Sequence, residues 1–183
     1  MKHSQILLMT GERQTGKTTL CTKLVKALQA AEIKVAGILT QHTGPNDLEV
    51  LELASGQRYA LTLPFVPNHE GVLRRFRMDP QALERSRRAI ENSFPTQVFL
   101  VDEIGPLELR HGQGWNHVPA LLERDDYDVA VIVVRPELLG EVIARMPAPV
   151  YTVAKVTPQT RNALATFLRD MLLEVCLCNK SMQ

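Results

Sequence analysis

One octapeptide narrows the folds open to this chain more than any other feature. Gly11-Glu12-Arg13-Gln14-Thr15-Gly16-Lys17-Thr18 matches G-x-x-x-x-G-K-[ST] at every fixed position. The apolar run Ile6-Leu7-Leu8-Met9 stops just before the first glycine, which predicts a strand buried on both faces. Beyond the loop, Leu20, Cys21, Leu24, Val25 and Leu28 recur at helical spacing, so a helix is predicted over Lys17–Ala30. Strand, glycine turn and helix in that order make a cradle for polyphosphate. The glycines let backbone approach an anion without Cβ interference. Successive N–H groups turn inward, and the helix N-terminus adds favourable potential. Gly11, Glu12, Arg13, Gln14, Thr15, Gly16, Lys17, Thr18 and Thr19 are therefore the expected nucleotide-binding set. Lys17 brings a point charge to the β/γ-phosphates, and the Thr18 hydroxyl is an expected Mg²⁺ ligand.

The rest of the chain continues the alternation of strand and helix. Lys34–Thr40 reads as a strand. Leu48–Leu53 alternates apolar and charged residues, and with Arg58–Leu63 across Ala54-Ser55-Gly56-Gln57 it reads as a hairpin. Asp79-Pro80 is an N-cap followed by a first-turn proline, opening a helix to Asn92. Strands are expected at Val98–Val101, Val129–Val134 and Val150–Val153. Helices are expected at Trp115–Glu123, Pro136–Met146 and, capped by Thr157-Pro158, to Val175. All-apolar strands alternating with helices predict an α/β protein, a mostly parallel sheet covered on both faces, with the hairpin at about 48–63 as an antiparallel addition. With 183 residues and no linker or repeat, one domain over 1–183 is expected.

A Mg²⁺-phosphate site needs an acid at the end of a nearby strand. Val98-Phe99-Leu100-Val101-Asp102-Glu103 ends four apolar residues in two carboxylates, at the sheet edge where open α/β folds bind ligands. Asp102 is the expected metal ligand beside Thr18. Glu103, next along the pleat, is the expected residue to orient an attacking water. Arg135 ends the strand Val129–Val134 at the same edge and is a candidate to stabilise charge at the γ-phosphate.

Gly11–Thr18 together with Val101-Asp102-Glu103-Ile104-Gly105-Pro106-Leu107-Glu108-Leu109 resembles the P-loop nucleoside-triphosphatase family of small proteins, whose acidic motif runs D-E-I-G-x-[ML]-E-L. The likeness extends to Gly37-Ile38-Leu39-Thr40, Ala54-Ser55-Gly56 and Val156-Thr157 with Arg161. The family's N-R-[DE] stands here as Thr160-Arg161-Asn162. The resemblance implies a RecA-like three-layer P-loop fold and Mg²⁺-dependent hydrolysis of several nucleoside triphosphates to diphosphate and phosphate. Two carboxylates in succession resemble the RecA-like division, in which another strand separates the P-loop strand from the acidic strand. Val129–Val134 is thus expected between Ile6–Met9 and Val98–Val101.

Several other residues invite chemistry. Arg74, Arg75 and Arg77 read either as a lid over phosphates or as a solvated basic loop. Thr40, Gln41 and His42 follow the second strand near the expected γ-phosphate position. Cys176 and Cys178 lack the two further ligands a zinc site requires. His69, His111 and His117 have no ligand spacing, and Trp115 reads as a packing anchor. Charge decides among partner classes: 21 Lys+Arg against 20 Asp+Glu give +1, which argues against a general nucleic-acid or membrane-surface binder. Three cysteines make no disulfide framework, no run approaches a membrane span, and the opening residues lead straight into the glycine motif. A cytoplasmic protein is expected. No N-K-x-D guanine-reading tetrapeptide occurs, so a broad base preference (ATP, GTP or others) is expected, with any protein partner unread. Two alternatives to a hydrolase share these parts: a small-molecule or nucleotide kinase, and a nucleotide-dependent adaptor that switches a cofactor-synthesis or transport partner.

Overall fold

The computed structural model describes residues 4–64, 77–147 and 151–181. Its strands are β1 (Gln5–Thr10), β2 (Val35–His42), β3 (Leu48–Glu52), β4 (Arg58–Ala60), β5 (Val98–Ile104), β6 (Val129–Val134) and β7 (Tyr151–Lys155). Its helices are α1 (Lys17–Ala30), α2 (Pro80–Glu91), α3 (Pro106–Leu109), α4 (Val118–Leu122), α5 (Leu139–Ile143) and α6 (Arg161–Ser181). The seven strands form one sheet in the order β4-β3-β2-β5-β6-β1-β7. From β2 to β7 every pairing is parallel, and β3 and β4 add an antiparallel meander beyond β2.

Alternation along each strand sorts the core into two layers. Leu7 and Met9 of β1, Leu100 of β5 and Val131 and Val133 of β6 pack under α1 and α6 with Leu24, Leu28, Leu168 and Leu172. Ile6, Leu8, Phe99, Val101, Ala130 and Ile132 face the other way, beneath α2 to α5 with Ile90, Leu109, Leu122 and Val142. Every residue of β6 is buried, as expected of a central parallel strand. The three-layer reading therefore holds. β6 lies between β1 and β5, Ile6 opposite Ala130 and Phe99 opposite the same residue, as the paired carboxylates predicted.

Local chemistry accounts for the boundaries. α1 spans the predicted residues, entered through Gly16 at φ 93°. Asp79 caps α2 by accepting the Gln81 amide at 2.9 Å, with Pro80 in the first turn. Several elements differ from expectation, among them β2, which runs on to His42, β4, which stops at Ala60, and the unexpected α3. β5 runs three residues past Val101, because a bulge carries Asp102 and Glu103 before pairing resumes at Ile104. The Trp115–Glu123 helix shrinks to Val118–Leu122, and the Trp115 indole before it donates to the Ser86 hydroxyl at 2.8 Å. The predicted Pro136–Met146 helix is a 3₁₀ turn over Pro136–Leu138 followed by α5. α6 begins only at Arg161, because Thr157 and Thr160 exchange amide and hydroxyl bonds and hold the preceding residues as a turn. The helix then continues past Val175 to Ser181, with Cys176 buried one turn beyond Leu172.

Candidate active site

The phosphate loop leaves β1 at Thr10 and is shaped by close backbone approach. A Cβ on Gly11 would stand 2.3 Å from the Val156 carbonyl oxygen, and one on Gly16 would stand 2.6 Å from Arg161 Cδ. The first clash is with backbone, which cannot move aside, whereas at Gly16 the φ of 93° is what a side chain would strain. Gln14 also takes a positive φ of 61°, and the Thr15 hydroxyl donates to the Glu12 carbonyl at 2.9 Å. Lys17 arches back over the loop, its Nζ donating to the carbonyls of Gly11 (2.6 Å) and Glu12 (2.7 Å). The amides of Lys17, Thr18 and Thr19 open α1, where helix geometry provides no intrahelical partner. Partial burial holds the Lys17 ammonium below its ordinary range, while Glu103 and Asp102 pull it upward.

The acidic corner lies two strands away, across β6. Asp102 is 2% exposed, and its Oδ2 has no hydrogen-bond partner among the described residues. Desolvation pushes its carboxyl up to about 7, opposed by a hydrogen bond from Thr18 and reinforced by Glu103. A buried carboxylate oxygen without a donor, beside a hydroxyl at a helix start, is a donor set that suits a hard divalent cation. Glu103 takes φ 80° within the bulge, an unusual conformation for a non-glycine residue. Its side chain accepts from Arg135 Nε. The bulge thus sends Asp102 towards Thr18 and Glu103 towards Arg135. Asp102, Glu103 and Arg135 all lie within electrostatic reach of Lys17.

Among the last three residues of β2, Thr40 ties to this corner, its hydroxyl donating to the Asp102 carbonyl at 2.9 Å. Gln41 turns instead to Thr22 and Arg58, and His42 lies at the far end of β2 opposite Leu48. Arg74, Arg75 and His69 lie outside the described residues. Arg77 is exposed, its carbonyl accepting from the Leu63 amide. Trp115 is an anchor, 5% exposed. Cys176 is a core residue and Cys178 is exposed. His111 is exposed, and burial holds the His117 imidazole below its ordinary range.

Two contacts escaped the sequence reading. Glu108 is a buried carboxylate whose Oε2 accepts the Gly105 amide at 2.8 Å, and it also accepts from the Trp115 backbone. It staples the chain leaving Glu103 to the Trp115 loop. A glycine followed three residues later by a glutamate is a recognisable cap spacing. Arg161 lies against Gly16, a contact between residues 145 positions apart that no local pattern announces.

Fold and loop together define a P-loop α/β protein with its acidic residues at the end of a strand one removed from the loop strand. The model of the NTPase family matches residues 6–168, and the chain belongs to that family. It is 28% identical to nucleoside-triphosphatase THEP1 of Methanopyrus kandleri, over 95% of this chain and 97% of that protein. With nucleoside-triphosphatase THEP1 of Methanothermobacter thermautotrophicus the identity is 27%, covering 91% of this chain and 95% of that one. The fold matches the crystal structure of THEP1 from Aquifex aeolicus (TM-score 0.64, 19% identity, 92% and 99% of the two chains). It also matches the solution structure of a human cancer-related nucleoside triphosphatase (TM-score 0.67, 23% identity, 98% and 100%). No described helix is long and apolar enough to cross a membrane.

Proposed function

We propose that the chain, working as one domain, hydrolyses nucleoside triphosphates to diphosphate and phosphate in the presence of Mg²⁺, with broad base preference. The observation that carries this reading is the approach of Lys17, at the start of α1, to Asp102, Glu103 and Arg135 at the ends of the adjacent strands β5 and β6. Membership of the NTPase family supports it, as does the likeness to relatives named nucleoside-triphosphatase. Gly11–Thr19 would cradle the phosphates through backbone amides. Lys17, released from the Gly11 and Glu12 carbonyls, would pair with the β/γ-phosphates. Thr18 and Asp102 would hold Mg²⁺, which when bound neutralises phosphate charge. The unpartnered Asp102 Oδ2 is what speaks for that assignment.

Glu103 orients a water for in-line attack on the γ-phosphorus and takes its proton. The bridging oxygen then leaves with the diphosphate. Arg135 holds the Glu103 side chain and brings positive charge to the corner where negative charge develops. Such a site works mainly by positioning and charge neutralisation.

A panel of ATP, GTP, CTP and UTP assayed for phosphate release, with and without Mg²⁺, tests the reading. The native protein should release phosphate from several nucleotides without any acceptor, and Lys17→Ala should weaken triphosphate affinity by at least ~10²-fold. Turnover that requires an added acceptor would make the protein a kinase. Unchanged affinity in Lys17→Ala would remove the phosphate-loop assignment.

A further inference from the structure

The backbone that carries Glu103 is held in an unusual shape from both sides. Glu103 sits at φ 80°, a conformation that a side chain keeps only where its surroundings over-determine it. Sheet pairing does not supply that constraint. The register with β2 stops at Val101 opposite Ile38, and the register with β6 breaks after Val101 and resumes at Ile104 opposite Val134. Two side chains act in its place. Ahead of Glu103, the Thr40 hydroxyl of β2 donates to the Asp102 carbonyl at 2.9 Å. Beyond it, Glu108 Oε2 accepts the Gly105 amide at 2.8 Å.

Glu108 is more than the cap of a short helix. α3 has only four residues, and burying a carboxylate carries a desolvation cost out of proportion to so little helix. Burial pushes the Glu108 carboxyl up, opposed by backbone amides that include those of Gly105 and Trp115. Its Oε1 lies in the space a Cβ on Gly114 would fill. The next residue, Trp115, is buried, and its indole donates to Ser86 of α2 at 2.8 Å. Through Glu108, the chain leaving Glu103 is thus tied to a loop that is itself fixed to α2.

We propose that Glu108 and Thr40 are positioning residues for hydrolysis: they clamp the backbone on either side of Glu103 and keep its carboxylate aimed at the attacking water. The proposal rests on the nucleoside-triphosphatase reading and deepens it. Neither residue belongs to the phosphate loop, so the clamp serves the reacting geometry and not the binding of phosphates. A misplaced reacting group costs rate far more than affinity. Glutamine at position 108 keeps the shape but has one accepting oxygen, and its amide nitrogen would face a backbone N–H. Valine at position 40 removes the hydroxyl and changes no charge. A shared effect of the two substitutions therefore comes from geometry and not from charge.

The test is a double-mutant cycle read by single-turnover phosphate release and by ATP titration, both in Mg²⁺. Native protein, Glu108→Gln, Thr40→Val, Glu103→Gln and the combinations of Glu103→Gln with each of the other two are compared. Glu108→Gln and Thr40→Val should each slow hydrolysis by at least ~10-fold, with the dissociation constant for ATP held within about threefold. In the Glu103→Gln background the same substitutions should slow it further by less than about twofold, because the group they position is already gone. If Glu108→Gln does not fold, Thr40→Val decides the matter by the same two readouts. An equal slowing in both backgrounds would mean that the clamps act elsewhere, and would overturn the proposal. So would a native rate in Thr40→Val, or a loss of affinity as large as the loss of rate. Native protein that neither binds nor hydrolyses ATP, GTP, CTP or UTP would instead refute the nucleoside-triphosphatase reading, and this proposal with it.

Discussion

The phosphate loop and the acidic corner face each other across one strand, yet they are built from different materials. The loop Gly11–Thr18 uses backbone: its glycines are needed because the Val156 carbonyl occupies the space a Cβ on Gly11 would fill and Gly16 takes a φ of 93°. The corner Val101–Leu109 uses side chains: a buried carboxyl on Asp102, a paired one on Glu103 and a capping one on Glu108. A site made of backbone should resist the addition of one methyl group but owe little to titration. A site made of buried carboxylates should accept isosteric amides structurally while changing its charge chemistry. The contrast yields graded expectations.

The largest effect belongs to the loop. Gly11→Ala places a methyl 2.3 Å from a backbone oxygen that has no flexible end to move aside. A loss of about 3 kcal/mol in denaturant unfolding is expected, with loss of triphosphate binding. Stability within about 0.5 kcal/mol of native would break the comparison.

The corner should respond to pH instead. Burial raises the Asp102 carboxyl from its ordinary 3.8 to about 7, so the folded chain holds a proton that the unfolded chain has released. The stabilising proton is fully present below about 3.8 and is lost as pH rises through about 7. In metal-free protein, Asp102→Asn should therefore be the more stable form at pH 8, by on the order of 2 kcal/mol, with the gain shrinking towards pH 4. Melting both proteins across that range in chelator checks the sign. Native protein more stable than the variant at pH 8 would mean that Asp102 is not an uncompensated buried charge.

A smaller effect is expected from Arg135, which acts on the corner from a neighbouring strand. Arg135→Ala should slow turnover roughly 10-fold, with nucleotide affinity held within about threefold, because the phosphate loop is untouched. A fall in affinity without a fall in kcat would move Arg135 from the corner to the binding loop.

The difference in material also decides what was legible. The loop could be read from the sequence because a backbone requirement leaves glycines at fixed spacing, and α1 could be read because Leu20, Leu24 and Leu28 repeat at helical period. The order of β1, β6 and β5 followed from two carboxylates in succession, read through the resemblance. The bulge at Asp102–Glu103 was not legible, since its register shift depends on pairing with Ile132 and Val134 of β6. The one-turn helix α3 went unseen because four residues carry too little periodicity. The apolar residues that follow Trp115 suggest a helix that includes it. Its indole is instead fixed by Ser86, 29 residues earlier. Arg161 against Gly16 is likewise a product of the parallel pairing of β1 with β7.

In the proposed mechanism the loop binds and the corner reacts. Glu103→Gln tests it most directly, because the amide keeps the shape beside Arg135 and removes the carboxylate. Single-turnover phosphate release and nucleotide titration on the same preparation separate the two functions. Nucleotide affinity should stay within about threefold of native while the hydrolytic rate falls by at least ~10²-fold. Hydrolysis at the native rate would contradict the account and transfer the water-orienting role to another residue.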